Sequence, residues 1–340
     1  MVDPHTQPND VPYGVVAVGA SAGGVEALTQ FAAGLPSDFP YAVLVVLHMP
    51  ASAPSMLAKI IDRSGPLSAR SAVDGEPLRA GHIHVAVPDR HLLADEQRVI
   101  LSEGPTENAH RPAVNALFRS VALSFGSRAI SVVLSGVLDD GVLGSKAIRD
   151  RGGVTVAQDP DDALFPAMPQ HALDAGLIDH QAAASDIGGI LAKLVERDIE
   201  EREMERDTSM ELENRIAMGS RFSTDFDTEA LGPPSGYTCP DCNGSLQTVS
   251  GINYRCQVGH AWTADALLRA RDVEVDGALW VALRSLREKA KLARRMAANA
   301  RPGTLSKKYA EQADEADRAL TVLGERLAAA PTLDGDHGEG

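Results

Sequence analysis

Ser21 stands in the run Val15-Val16-Ala17-Val18-Gly19-Ala20-Ser21-Ala22-Gly23-Gly24, where a short apolar strand ends among small residues and a helical pattern opens near Val25. In a Gly-x-Ser-x-Gly turn the glycines let the backbone fold sharply and lift the hydroxyl clear of the sheet edge. The amides that open the next helix face the same space, where they can stabilise an oxyanion. The residue types therefore point to a nucleophilic serine, with the Ala22 amide as oxyanion donor. A phosphate or dinucleotide cradle is the competing reading. The dinucleotide fingerprint needs Gly-x-Gly-x-x-Gly, and Ser21 takes its middle glycine; the phosphate loop needs a closing Gly-Lys-Ser/Thr, and none follows.

A serine hydroxyl attacks only when a base takes its proton. His48 follows the apolar run Ala42–Leu47, and Asp140 lies in a loop after the apolar run Ile130–Leu134. Both belong at carboxyl ends of strands, the edge where open parallel sheets bind ligands. An aspartate there can hold the imidazole in one tautomer and stabilise the imidazolium. Asp139 competes for this role; Asp140 is preferred because it directly precedes Gly141. The order Ser–His–Asp differs from the Ser–Asp–His order of the α/β-hydrolases. His110-Arg111-Pro112 opens a helix on the same side, a basic pair placed to steer a carboxylate-rich substrate, with Arg111 as the residue to touch it. His82 and His84 share a strand face, and His91 and His171 read as surface or packing residues.

A second constellation is Cys239-Pro240-Asp241-Cys242, then 13 residues, then Cys256-x3-His260. Two close pairs of soft or borderline ligands suit a tetrahedral zinc with no open position, hence a structural one. A unit this small needs the metal to fold, so metal removal is expected to unfold it while sparing catalysis. No cofactor is expected for catalysis.

The elements that must position these groups follow from pattern. Val15–Val18, Ala42–Leu47 and Ile130–Leu134 are aliphatic runs that suit parallel strands buried on both faces, and Gly153–Ala157 is a shorter strand candidate. Helical patterns at Val25–Ala33, Ser55–Asp62, Arg111–Ser124 and Ser145–Asp150 separate them. His82–Val87 and His91–Ser102 alternate around Pro88-Asp89-Arg90 and read as a β-hairpin. The fold class is α/β: a doubly wound, mostly parallel sheet with a β-hairpin insert, then a small zinc-ribbon-like unit and a helical hairpin. The divisions are a flexible N-terminus over 1–12, the sheet domain over 13–190, a charged linker over 191–235, the cysteine module over 236–270, the helical hairpin over 271–330 and a disordered tail over 331–340. Within the linker, Glu196–Arg206 suits a solvated helix with little face to bury, and Ser223–Pro234 reads as a true linker. In the hairpin, split by Arg301-Pro302-Gly303, the spacing of Trp280, Leu283, Leu286 and Leu292 reads as packing.

Composition narrows the partners. The chain has 340 residues, a net charge of -15 and 4% aromatics, against a nucleic-acid or anionic-membrane partner. No apolar stretch approaches the roughly 20 residues that span a bilayer, and Met1–Asn9 lacks the features of a signal peptide, so a cytoplasmic protein is expected.

Residues about 13–184 resemble the catalytic domain of the chemotaxis protein-glutamate methylesterases, the CheB type. The resemblance rests on Gly19–Gly24, Leu47-His48-Met49-Pro50, Gly81–Pro88, His110-Arg111-Pro112-Ala113-Val114, Leu134-Ser135-Gly136 with Asp140-Gly141, and Ala157-Gln158-Asp159 followed by Met168-Pro169. It implies hydrolysis of glutamyl methyl esters, and deamidation of glutamines, on a chemoreceptor or similar signalling protein, with Ser21 as nucleophile, His48 as base and Asp140 as orienting carboxylate. Two departures are Ala22, where many members carry threonine, and Gly136-Val137-Leu138-Asp139, where Gly-Met-Gly is common. Only about 12 residues precede the first strand. Control by a fused phosphoacceptor domain is therefore not expected, and an unknown regulator acting through the C-terminal region is. Tyr254–Trp262 resembles a zinc-ribbon-like module of some such proteins. The alternatives are a catalytically weak signalling scaffold with the same fold, and a nucleotide-binding protein, disfavoured by Ser21 and by His48 at the second strand end.

Overall fold

Val15, Val16, Ala17, Val18 and Ala20 are all fully buried, because the strand they form lies at the middle of a sheet covered on both faces. The computed structural model describes residues 11–52, 55–199, 206–219, 232–251 and 253–329. In chain order the first part runs β1 (Val15–Ala20), α1 (Gly24–Ala33), β2 (Ala42–Leu47), α2 (Leu57–Ser64), β3 (Ser68–Ser71) and β4 (His82–Val85). It continues β5 (His91–Asp95), β6 (Arg98–Ser102), α3 (Val114–Phe125), β7 (Ala129–Val133), α4 (Val142–Asp150), β8 (Val154–Gln158), α5 (Ala167–Asp174), β9 (His180–Ala182), α6 (Ala184–Leu194) and α7 (Thr208–Met218).

The central sheet has the order β3-β4-β2-β1-β7-β8-β9, and every pair in it is parallel. The chain first builds one side of β1 and then crosses to build the other, so the carboxyl end of β1 is a topological switch point. On one face α1, α2 and α6 pack through Leu28, Phe31, Ile61, Ile187 and Leu191. On the other, α3, α4 and α5 pack with the β5–β6 hairpin through Leu117, Phe118, Ile148, Met168 and Leu92. Each such Leu, Ile or Phe contributes about 1.5–3 kcal/mol relative to leaving it in water. Helix α1 follows the helical period, burying Ala27, Leu28, Phe31 and Ala32 while Val25 and Glu26 face out.

The α/β class and the covered parallel sheet agree with the sequence pattern. Three expectations need correction. His82–Val85 is a parallel strand of the main sheet, and the hairpin is β5 with β6, turning at Glu96, which takes a left-handed φ of 51° without being glycine. The segment expected as a charged linker contains α7, whose Met210, Ala217 and Met218 are buried against the α/β body, with Ser102 Oγ donating to the Ala217 carbonyl at 2.6 Å. In the same segment, residues 196–199 are not helical. The remainder of the expected helix at 200–205, most of the linker at 223–234, residues 1–10 and the tail lie outside the described residues.

The cysteine-bearing part is a four-stranded antiparallel sheet: β10 (Pro234–Thr238), β11 (Ser245–Ser250), β12 (Asn253–Cys256) and β13 (Ala261–Thr263). It forms one compact unit with the α/β part, up to Leu267. The second unit, from Leu268, is made of α8 (Ala264–Asn299) after its first turn and α9 (Thr304–Ala329). The two helices meet through small residues, with Ala290, Ala293, Ala313 and Ala316 buried, and through an Arg294–Asp317 ion pair. The expected packing role holds for Leu283, which is buried; Trp280 and Leu292 are exposed at 62% and 59%. Alanines let the two backbones approach, and Trp280 and Leu292 of α8 turn outward. No described helix is long and apolar enough to cross a membrane.

Candidate active site

The register of the sheet puts Ala20 opposite Leu47 and Gly19 opposite Val133, so the chain leaves β1, β2 and β7 side by side. Ser21 and His48 are the first residues beyond the Ala20–Leu47 pair, on strands about 4.8 Å apart. Ser21 Oγ lies 3.2 Å from His48 Nδ1, and His48 Nε2 lies 2.8 Å from Asp140 Oδ2. Asp140, not Asp139, meets the imidazole.

Each member is held by backbone. The Ser21 amide donates to the Ser135 carbonyl at 2.9 Å, and the His48 amide to the Ala20 carbonyl at 3.1 Å. Gly23, at a φ of 69°, lets the chain turn from Ser21 into α1, and a side chain there would sit 2.7 Å from Ser135 Oγ. Gly136 passes under the serine: a Cβ on it would lie 2.1 Å from Met168 Sδ and 2.9 Å from Ser21 Cβ. Ser135 in turn donates to the Ala22 carbonyl at 2.8 Å, and its own amide is taken by Gln158 Oε1.

Asp140 is 1% exposed and receives three donors: His48 Nε2, the Val114 amide at 2.8 Å and the Asn115 amide at 2.9 Å. The two amides open α3, where an anion is favoured. Burial alone would raise the Asp140 pKa, but the bond to His48 and these amides outweigh it and hold the group below the usual carboxylate range. A carboxylate on Nε2 fixes the Nε2–H tautomer and leaves the Nδ1 lone pair facing Ser21. Such an arrangement can take a proton from the hydroxyl and carry the resulting imidazolium. The Ser21 amide is already engaged, whereas among the described residues the Ala22 amide has no protein acceptor, which leaves it free for an oxyanion.

His110 was expected to lend positive charge, and the structure puts it elsewhere. Its ring stacks on that of His48, with centroids 3.7 Å apart and planes within 8°. Burial first, then the neighbouring His48, pushes its pKa down to about 4, so it is neutral at pH 7. Its position comes from a tight turn closed by the Glu107 and His110 backbone bonds, with Asn108 (φ 51°) and Ala109 (φ 65°) left-handed; alanine at such an angle carries no signal in the sequence. Arg111 is held by Asp89 at 2.5 Å and by the carbonyls of Glu103 and Gly104. His84 is buried against Glu76, His91 donates to the Pro105 carbonyl, and His171 to that of Leu138.

Cys239, Cys242, Cys256 and His260 converge at the other cluster, their ligand atoms all within 4.8 Å of one another. Around a tetrahedral zinc, bond lengths of about 2.3 Å to sulfur and 2.0–2.1 Å to nitrogen put sulfurs about 3.8 Å apart and sulfur and nitrogen about 3.5 Å apart. Cys242 and Cys256 sulfurs are 3.6 Å apart, and His260 Nδ1 is 3.4 Å from Cys256 Sγ and 3.7 Å from Cys239 Sγ. The two pairs sit on tight turns: the Cys239 amide donates to the Gly244 carbonyl at 2.7 Å, and the Cys256 amide to that of His260 at 3.0 Å. The donor set and its spacing fit a structural zinc.

A parallel α/β sheet with serine, histidine and aspartate on three adjacent strand ends defines the class. The chain belongs to the CheB methylesterase family, whose model matches residues 16–191. It is 38% identical over 169 residues to a protein-glutamate methylesterase/protein-glutamine glutaminase of Rhizobium johnstonii, covering 48% of this chain and 46% of that one. A protein of the same designation from Anaeromyxobacter dehalogenans is 41% identical over 197 residues, covering 57% of this chain and 58% of its own. The CheB methylesterase catalytic domain of Thermotoga maritima superposes with a TM-score of 0.51 at 31% identity, covering 53% of this chain and 98% of that domain. The chain spans about half the length of the curated relatives it matches.

Proposed function

We propose that this chain is a serine esterase that hydrolyses glutamyl methyl esters on a chemoreceptor-like signalling protein, and that it also deamidates glutamines there. The observation that carries the reading is the hydrogen-bonded line from Ser21 Oγ through His48 to the buried Asp140. Ser21 Oγ attacks the ester carbonyl while His48 Nδ1 takes its proton, and the carbonyl oxygen becomes an oxyanion beside the Ala22 amide. Collapse expels methoxide, which leaves as methanol with the proton from His48. Water then attacks the acyl-enzyme, gives its proton to His48, and releases glutamate and a free Ser21. With a glutamine substrate the leaving group is ammonia. Asp140 stabilises the imidazolium throughout, and His110 walls one face of the imidazole against water. Arg111, engaged by Asp89, holds the segment that carries His110.

An enzyme is favoured over a scaffold because Asp140 keeps all its donors despite the Val137-Leu138-Asp139 departure. The reading extends to a structural zinc held by Cys239, Cys242, Cys256 and His260, linking the ends of the module's strands and taking no part in the chemistry. It extends also to a cytoplasmic location and to a regulator that acts through the C-terminal region. The test is methanol release from a methylated receptor signalling fragment. Wild type releases methanol and Ser21→Ala does not; equal release by both would remove Ser21 from the reaction.

A further inference from the structure

The cysteine-bearing sheet does not stand apart from the candidate active site. Its last strand, β13, runs beside the segment that delivers His110: the Ala261 amide donates to the Thr106 carbonyl at 3.1 Å, and the Asn108 amide to the Ala261 carbonyl at 2.8 Å. The Thr263 amide donates to Asn108 Oδ1 at 2.9 Å. The Thr263 hydroxyl, in a residue 4% exposed, donates to Asp139 Oδ1 at 2.9 Å and accepts from the Ala266 amide at 3.3 Å, capping the first turn of α8. Behind this seam lies a buried ion cluster. Arg255 of β12, 1% exposed, reaches Glu107 at 3.2 Å and Glu213 at 2.9 Å, and Glu107 also binds Arg119 of α3 at 2.5 Å. Helix α3 is the one whose first amides hold Asp140.

We propose that the β13 edge is a positioning element of the active site, acting through Thr263 and Ala261 on the Asn108–His110 turn and through Thr263 on the Asp139–Asp140 loop. Left-handed φ angles at Asn108 and Ala109 are strained for residues other than glycine and persist only where surrounding bonds hold them. The turn is closed by the paired Glu107 and His110 backbone bonds at 3.1 and 2.9 Å, and among the described residues β13 adds the bonds on the Asn108 amide and side chain. With Asn108 fixed, Ala109 can turn His110 onto the His48 ring. Asp139 is the residue next to the one that binds His48, so holding its carboxylate holds the loop. Thr263 and Ala261 touch neither substrate nor the reacting atoms; their effect passes through His110 and Asp140. The inference rests on the esterase reading for its kinetic arm only.

The test uses the full chain as Thr263→Val, Thr263→Ser and Asn108→Ala. Two readouts are taken: kcat and KM for ester hydrolysis, and the imidazole nitrogen NMR signals of His48 and His110. Losing a buried bond to a carboxylate is expected to lower kcat roughly tenfold with KM unchanged in Thr263→Val. The His48 and His110 signals move with it, and Thr263→Ser restores both. A folded Thr263→Val with wild-type kcat and unmoved imidazole signals overturns the proposal. Should Thr263→Val fail to fold, Asn108→Ala decides on the same two readouts. If wild type hydrolyses no glutamyl ester, the esterase reading fails; the imidazole signals still decide whether β13 positions the pair.

Discussion

Asp140→Asn isolates what the buried carboxylate does. Oδ2 receives both His48 Nε2 and the Val114 amide, and Oδ1 receives the Asn115 amide. An amide has one acceptor atom in place of two. If its oxygen takes the Oδ2 position, its NH2 faces the Asn115 N–H and one buried donor loses its partner. If its NH2 takes that position, it faces the Val114 N–H and drives His48 to the other tautomer, with a proton on Nδ1 against Ser21. In the first arrangement the imidazolium loses its counter-charge; in the second the base is lost outright. One unsatisfied buried donor costs about 1–3 kcal/mol of stability. Loss of the orienting carboxylate in such a triad lowers turnover about 10³–10⁴-fold, roughly 4–5.5 kcal/mol in the barrier. Methanol release and thermal unfolding on the same preparation separate the two effects. A variant that melts near wild type and keeps its rate within tenfold would refute the role given to Asp140.

Other perturbations test the supports around the triad. Gly136→Ala forces a Cβ to 2.9 Å from Ser21 Cβ and 2.1 Å from Met168 Sδ. Ester hydrolysis should fall at least about tenfold for a stability cost near 1–3 kcal/mol, and unchanged kinetics would contradict the close approach. Glu107 bears on acid stability: burial favours its neutral form, yet Arg119 and Arg255 hold its pKa down to about 2 from an ordinary 4.5. Its folded pKa is lowered, so its contribution is complete above pH 4.5 and is lost as the pH falls toward 2. Glu107→Gln should flatten the fall in stability over that range in acid unfolding curves, and curves parallel to wild type would count against it. Chelation should release about one zinc per chain and melt the β10–β13 sheet. The seam along β13 carries the loss into ester hydrolysis, against the separable behaviour expected from the sequence; full activity in the zinc-free chain would restore that expectation.

The legible parts of this chain are those where one physical demand acts on a continuous run of residues. β1, β2 and β7 are buried on both faces, so their aliphatic runs mark them, and the residues that follow them mark the sheet edge where Ser21, His48 and Asp140 gather. The cysteine and histidine spacing is legible because a tetrahedral ion demands it. Edge strands escape notice: Ser68–Ser71 and His180–Ala182 are short and polar because they face solvent. The hairpin turn at Glu96 and the turn at Asn108–Ala109 use left-handed residues other than glycine, and Asn108 is further held by distant bonds to β13. α7 is hidden by the charges around it, though Met210 and Ile216–Met218 form its buried face. The bond from Thr263 to Asp139 joins residues 124 apart, and no pattern within either segment foretells it.

The central claim is that Ser21 is the nucleophile, activated through His48 by Asp140. Mass spectrometry of the chain after reaction with a phosphonate analogue of a glutamyl methyl ester tests it most directly. The account predicts one covalent adduct, located on Ser21, absent from Ser21→Ala and formed about 10³-fold more slowly by Asp140→Asn. An adduct on another residue, or methanol release that continues at full rate while Ser21 is blocked, would contradict it.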